Sequence, residues 1–188
     1  YENAANAVPD AFLAKVAADR RLLSPATVSA WCVAQDRDGT WLVPGYGTDG
    51  KLDQVYRRTR MKDKGEWVWR LLPTPGIWQE GKRSHALHFA DIGSSHDIYV
   101  CEGPWDGMAL WEVKSDCQVI SVPGCNVWRD EWTSFCKGKD VTLLFDSDHP
   151  KEYTPGRISR AGYDGMIRIA RNLSGMAASV RYLRWGEE

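Results

Sequence analysis

Between residues 98 and 183 the chain alternates short apolar runs with stretches of helical period, and this alternation decides most of what it can fold into. The runs IYVC (98–101), VISV (119–122), VTLLF (141–145) and SVRYL (179–183) are almost wholly apolar, and the helical stretches cover 105–113, 127–136 and, after a loop, 161–173. Strands without polar alternation are buried on both faces, which calls for helices above and below a parallel sheet joined by right-handed crossovers. In sheets of that kind, ligands gather outside the carboxyl ends of the strands.

Those ends carry carboxylates. The first run leads into Glu102-Gly103-Pro104-Trp105-Asp106-Gly107 and the third into Asp146-Ser147-Asp148. Asp106 follows Glu102 by one helical turn, and Asp146 and Asp148, two apart, point the same way where the chain leaves the strand. Crowded carboxylates repel one another unless a hard cation neutralises them, and an all-oxygen set suits Mg²⁺ or Mn²⁺. The expected metal ligands are therefore Glu102, Asp106, Asp146 and Asp148.

Charge is segregated around this block. The chain has 24 Lys plus Arg and 25 Asp plus Glu, a net of −1, so total charge selects no partner. Residues 91–148 hold eleven acidic and four basic side chains, whereas residues 51–70 hold seven basic and three acidic. Acidic residues gather cations and flanking basic ones gather polyanions. Arg57, Arg58, Arg60, Lys62 and Lys64 are the expected phosphate contacts. Trp67 and Trp69, two apart beside them, offer a face on which an unpaired base stacks. Arg157, Arg160, Asp164 and His149 lie in or next to the segment after Asp148, and the two arginines join the candidate nucleotide or DNA contacts.

The first half reads differently. Phe12, Leu13, Val16 and Ala17 recur at helical spacing, and Ser24-Pro25 signals the start of a second helix. TWLVP (40–44), LDQVYRR (52–58) and EWVWRLL (66–72), with a turn at Asp49-Gly50, read as a small antiparallel sheet, followed by a Pro/Gly loop. His85 precedes and His88 lies within a strand-like ALHF (86–89), where positions three apart face opposite sides, so they are not paired metal ligands. With 188 residues, 43% of them hydrophobic and 26% charged, the chain has material for one domain or two small ones sharing a core, and collagen-like or disordered readings are out. The boundary is expected near residue 90, with 1–90 a basic subdomain and 91–188 the metal-binding one. Five cysteines without a CxxC pair read as reduced, buried thiols in a cytoplasmic protein. No run approaches a membrane span. The opening YENAANAVPD has no signal-peptide pattern, and the sequence reads as a piece excised from a longer protein.

A strand ending in Glu-Gly-x-x-Asp, a second leading to Val122-Pro123-Gly124 and a third ending in Asp-x-Asp together resemble the TOPRIM domain of primases, topoisomerases and certain nucleases. Residues 41–60, WLVPGYGTDGKLDQVYRRTR, followed by a basic Trp-containing strand, resemble the basic subdomain that precedes TOPRIM in bacterial and phage primases. The resemblance implies an α/β fold: a TOPRIM-type parallel four-stranded sheet with flanking helices, preceded by a small mixed α+β basic subdomain. It implies Glu102, Asp146 and Asp148 as catalytic metal ligands and Asp106 as the acidic residue of the same motif. It also implies a DNA primase of phage, prophage or plasmid type that makes short RNA primers on a single-stranded DNA template from nucleoside triphosphates, beside a replicative helicase. The sequence departs from the pattern where HPKEYTPGRISR (149–160) separates Asp-x-Asp from Ala161-Gly162, and it has neither a zinc-module Cys/His quartet before residue 31 nor a GxxxxGK[ST] motif. A TOPRIM nuclease or topoisomerase fragment and a non-catalytic nucleic-acid-binding module remain the alternatives.

Overall fold

A computed structural model describes residues 8–20, 23–63, 65–74, 87–89, 95–114, 116–146, 150–154 and 156–183. Helix α1 (Asp10–Arg20) buries Phe12, Leu13, Val16 and Ala17, the residues whose spacing predicted it. Helix α2 (Pro25–Ala30) starts as its sequence demands: Pro25 stands in the first turn and the Ser24 hydroxyl accepts the Thr27 N–H at 3.2 Å.

Four strands follow in an antiparallel sheet of order β1-β2-β3-β4: β1 (Ala34–Gln35), β2 (Trp41–Tyr46), β3 (Leu52–Asp63) and β4 (Glu66–Pro73). Gly50, with φ 74°, makes the expected turn before β3, and the Asp49 side chain accepts from the Lys51 N–H there. β3 runs five residues beyond the apolar part that predicted it, because its outer half is held by pairing with β4 and needs no burial of its own.

The second sheet consists of β5 (Asp97–Glu102), β6 (Gln118–Val122), β7 (Asp140–Leu144) and β10 (Ser179–Tyr182), all parallel, in the order β10-β7-β5-β6. Helix α3 (Pro104–Val113) covers one face through Met108, over Cys101 and Val119. Helix α5 (Ala161–Leu173) covers the other through Met166, Ile169 and Leu173, over Ile98, Val100, Val141 and Leu143. This is the predicted α/β sandwich with both faces clothed.

Two expectations about the connections change. The segment 127–136 is a single 3₁₀ turn (Asp130–Trp132) and a four-residue helix α4 (Thr133–Cys136), not a long helix. Its apolar residues have helical spacing, but Val127 and Trp128 reach the same core from irregular backbone, and Trp132 is buried edge-on to Trp128. The predicted loop after β7 contains a hairpin, β8 (Lys151–Thr154) with β9 (Arg157–Ser159).

Leu87 and His88 join the sheets. Leu87 exchanges backbone hydrogen bonds with Tyr46 of β2, and His88 does so with Ser121 of β6. His88 is buried, its ring nitrogen donates to the Pro44 carbonyl at 2.6 Å and its ring packs in a T-shaped arrangement with Tyr56, so it is a structural histidine. Burial lowers its pKa to about 4 against the pull of that carbonyl. His85 lies outside the described residues. One apolar cluster runs from α1 and α2 through β2 to α3 and β6, so the two halves share a core. All five cysteines are free and Cys101, Cys117 and Cys136 are buried. Among the described residues no helix is long and apolar enough to cross a membrane.

Candidate active site

Strand β5 sits between β6 and β7, so the crossover leaving it goes one way and the next returns over it to the other side. The crevice at the carboxyl ends of β5 and β7 is therefore the switch point of the sheet, where the chain diverges and leaves room for a ligand. Glu102 is the last residue of β5, and Asp146 lies two residues past β7, whose Leu144 is in register with Cys101. Gly103 takes φ 88°, which turns the strand sharply into α3 and sets Asp106 in the first helical turn. α3 lies tight against the sheet because residue 107 is glycine: a Cβ there would come within 2.0 Å of the Ser121 hydroxyl and 2.7 Å of the Trp31 ring.

The electrostatics of Asp106 report the crowding. Its pKa rises from 3.8 to about 6, first because protein atoms displace water around its carboxyl, then because the charges of Asp146 and Glu102 lie close, while its own N–H and Arg20 pull the other way. Glu102 and Asp146, at two strand ends, thus act on Asp106 at a helix start. Asp148 and His149 lie outside the described residues. Among the described residues no three His, Cys, Asp or Glu side chains close on a common ion position. The chemistry of the donors, carboxylate oxygens of which two raise the pKa of the third, Asp106, fits a hard divalent cation.

Glu102 is held by a loop the sequence did not reveal. Its Oε1 accepts the Cys125 N–H at 3.2 Å, and the Cys125 carbonyl in turn accepts from Arg168 of α5 at 3.2 Å. Arg168 also reaches the Asn126 side-chain oxygen at 3.3 Å. Gly165, one turn earlier, lets α5 press on this loop: a Cβ there would fall 2.1 Å from the Cys125 oxygen. The glycines of AGYDG (161–165) were the only sequence signal of this close approach.

The basic residues divide between faces. In a strand neighbours alternate, so Arg58, Arg60 and Lys62 share one face of β3 with Trp67 and Trp69 of β4, directly across in the register. Arg58 stacks over Trp41 at 4.0 Å and Trp69 at 4.7 Å and pairs with Asp19 at 3.1 Å. Arg60 and Lys62 lie over Trp67 at 5.2 and 5.6 Å. Arg57 sits on the opposite face, paired with Asp36 at 2.7 Å and Asp38 at 2.8 Å. Lys64 lies outside the described residues. Arg157 stands on β9, Arg160 just before α5, and Asp164 in the first turn of α5, where its carboxylate accepts the Ser159 hydroxyl.

Arg20, which the sequence gave no reason to single out, connects the two charged regions. It lies over Trp105 at 4.3 Å, and its pKa is lowered first by burial and then by Arg58, while Asp19 and Asp106 offset part of this.

No family model matches the sequence, and no curated protein matches it significantly. Solved structures do match. The Aquifex aeolicus primase fragment with zinc-binding and RNA polymerase domains aligns with 93% of this chain at TM-score 0.62 and 14% identity. A DnaG catalytic core aligns with 100% of it at TM-score 0.60 and 15% identity, and a DnaG primase catalytic domain bound to single-stranded DNA with 97% at 0.58 and 14%. The fold is that of a DnaG-type primase catalytic core. The chain spans about half the length of the Aquifex structure (49%) and 70% and 69% of the other two. Its parallel four-stranded sheet with flanking helices is part of the fold it shares with those cores.

Proposed function

We propose that this chain is the catalytic core of a DNA primase, synthesising short RNA primers on single-stranded DNA from nucleoside triphosphates. The observation that carries the reading is the action of the Glu102 and Asp146 charges on Asp106 at the switch point of a primase-core fold. Glu102, Asp146 and Asp148 would hold Mg²⁺ or Mn²⁺, with Asp106 as a further ligand or an orienting group. A divalent cation held by these carboxylates would supply charge to lower the pKa of an attacking 3′-hydroxyl and to offset that of a departing pyrophosphate. The protein's own contributions are to fix Glu102 through the Cys125 N–H and to seat Asp106 through the close approach of α3 at Gly107.

Arg60 and Lys62, with Lys64, would contact template phosphates, and the single-stranded DNA in one of the matching primase structures supports that partner. A replicative helicase as neighbour, a cytoplasmic setting and a phage or plasmid source belong to the same proposal. Asp146→Ala is expected to lower Mg²⁺- or Mn²⁺-dependent dinucleotide formation on a single-stranded template by about 10²- to 10³-fold, the scale seen when a group stabilising transition-state charge is removed. Circular dichroism should stay unchanged. Undiminished synthesis by the folded variant overturns the proposed cage, and DNA cleavage or relaxation in place of RNA products overturns the primase reading.

A further inference from the structure

A cleft of about 680 Å³ opens between α1 and the inner end of the basic sheet, lined by Lys15, Asp19, Asp38, Trp41, Arg58 and Trp69 among others. Its size lies in the range of small-molecule sites. Its charge does not suit a phosphate. Two cations, Lys15 and Arg58, face two carboxylates, Asp19 and Asp38, and Arg58 is already bound to Asp19 at 3.1 Å. The outer end of the same face is different: the ion pairs of the described residues include none for Arg60 or Lys62. Free cations for a polyanion thus lie at the outer end, while the inner end offers flat surfaces and hydrogen-bond acceptors.

Trp69 is 55% exposed, with the guanidinium of Arg58 fixed against it and against buried Trp41. Asp19 keeps acceptor positions beyond the one Arg58 uses, and Asp38 keeps lone pairs beyond those taken by Arg57 and the Thr40 N–H. A ligand matching these walls is planar, uncharged and equipped with N–H donors. The cleft also adjoins the acidic edge, since the Trp41 ring lies 6.0 Å from that of Trp105, the neighbour of Asp106. We propose that the cleft receives one unpaired nucleobase, stacked on Trp69, whose exocyclic amino group donates to Asp19 or Asp38. This would make the chain prefer amino-bearing bases over thymine or uracil next to the point of synthesis. The proposal rests on the reading of the chain as a primase core that binds single-stranded DNA.

The test is fluorescence anisotropy with labelled dC and dT oligonucleotides of about 12 residues, equal in ring size, cytosine carrying an amino donor at the ring position where thymine carries a carbonyl acceptor beside its N3–H, over a series of salt concentrations. The wild type should bind the dC strand about fivefold more tightly, the worth of one hydrogen bond. Trp69→Leu should weaken binding of both strands about tenfold, the scale of one lost stacking contact, without changing the salt dependence. Asp19→Asn or Asp38→Asn should erase the preference for dC. Arg60→Ala with Lys62→Ala should reduce the slope of log K against log salt by about 1.4 and keep the preference, at about 0.7 per phosphate contact on a single strand. Displacement of the dC strand by CTP but not UTP, lost in Trp69→Leu, supports the cleft with an incoming nucleotide as the source of the base; a preference that free CTP does not disturb supports it with the template as the source. A preference that survives Trp69→Leu and both aspartate variants overturns the cleft proposal and leaves the primase reading standing. Absence of binding to either strand by the folded wild type overturns the primase reading, and this proposal with it.

Discussion

The two sheets display charge in opposite ways. In the parallel sheet the inner strands β5, β6 and β7 are largely buried, and the charged groups of the candidate site, Glu102 and Asp146, stand where β5 and β7 stop. In the antiparallel sheet they stand along the strand itself: Arg58, Arg60 and Lys62 line one face of β3, with Trp67 and Trp69 opposite. A doubly covered sheet has no free face, so its chemistry moves to the ends, and convergence there depends on helices and loops that press on it. A sheet with an open face carries its ligands in the strand alternation and needs little support from elsewhere. The acidic edge should therefore be fragile to packing changes and the basic face tolerant of them. His88, bonded to both sheets, is where the two regions depend on each other.

The largest expected effect on stability lies at that joint. His88 is held neutral in the folded protein with a pKa of about 4, below its ordinary 6.5. Between those values the unfolded chain binds a proton that the folded chain does not, so stability is full above about pH 6.5 and declines as pH falls to 4, by roughly 3 kcal/mol in all. Asp106 acts in the opposite sense: with its pKa raised from 3.8 to about 6, the folded form holds the proton more tightly, and stability falls as pH rises through that window. Denaturation at pH 7.5 and pH 5 should thus show a steeper loss on acidification in Asp106→Asn than in the wild type, and a loss largely abolished in His88→Gln. An Asp106→Asn protein equally stable at both pH values would separate His88 from the coupling of the sheets.

The next effect tests fragility at the acidic edge. Gly165→Ala forces a Cβ to within 2.1 Å of the Cys125 oxygen, a backbone atom that can yield only by moving the loop that donates to Glu102. A cost of about 1–3 kcal/mol is expected, together with a higher Mn²⁺ concentration for half-maximal primer synthesis. Arg168→Ala should shift the Mn²⁺ requirement in the same direction, and Arg168→Lys should recover part of it. An unchanged Mn²⁺ requirement in both Gly165→Ala and Arg168→Ala would mean that this loop does not position Glu102.

The contrast also explains what could be read from the sequence. The strands and the carboxylates at their ends were legible because apolar runs and their termination are local signals, as were the Ser24-Pro25 helix start and the Asp49-Gly50 turn. Arg20 was not legible, since its stacking on Trp105 joins residues 85 positions apart and no local pattern encodes it. The hold of Cys125 and Arg168 on Glu102 was hidden for the same reason. In 127–136 helical spacing of the apolar residues does not make a helix, because irregular backbone half-buries Val127 and Trp128 and a 3₁₀ turn buries Trp132 against the same core.

Arg57 and Arg58 provide the smallest effect and the sharpest comparison, because they are adjacent in sequence and belong to different faces. Strand alternation alone separates them: the Arg57 side chain leaves β3 on the face opposite Trp67 and Trp69 and pairs with Asp36 and Asp38 of the turn before β2. Arg57 is partly exposed, and an ion pair of that kind contributes about 0–1 kcal/mol. Arg57→Ala is therefore expected to change stability by no more than that and to leave the salt dependence of single-stranded DNA binding as it is. Arg60→Ala should lower the slope by about 0.7, the share of one phosphate contact. If Arg57→Ala flattened the slope as much as Arg60→Ala, the DNA would have to reach both sides of β3, and the assignment of nucleic acid to the face bearing Trp67 and Trp69 would fail.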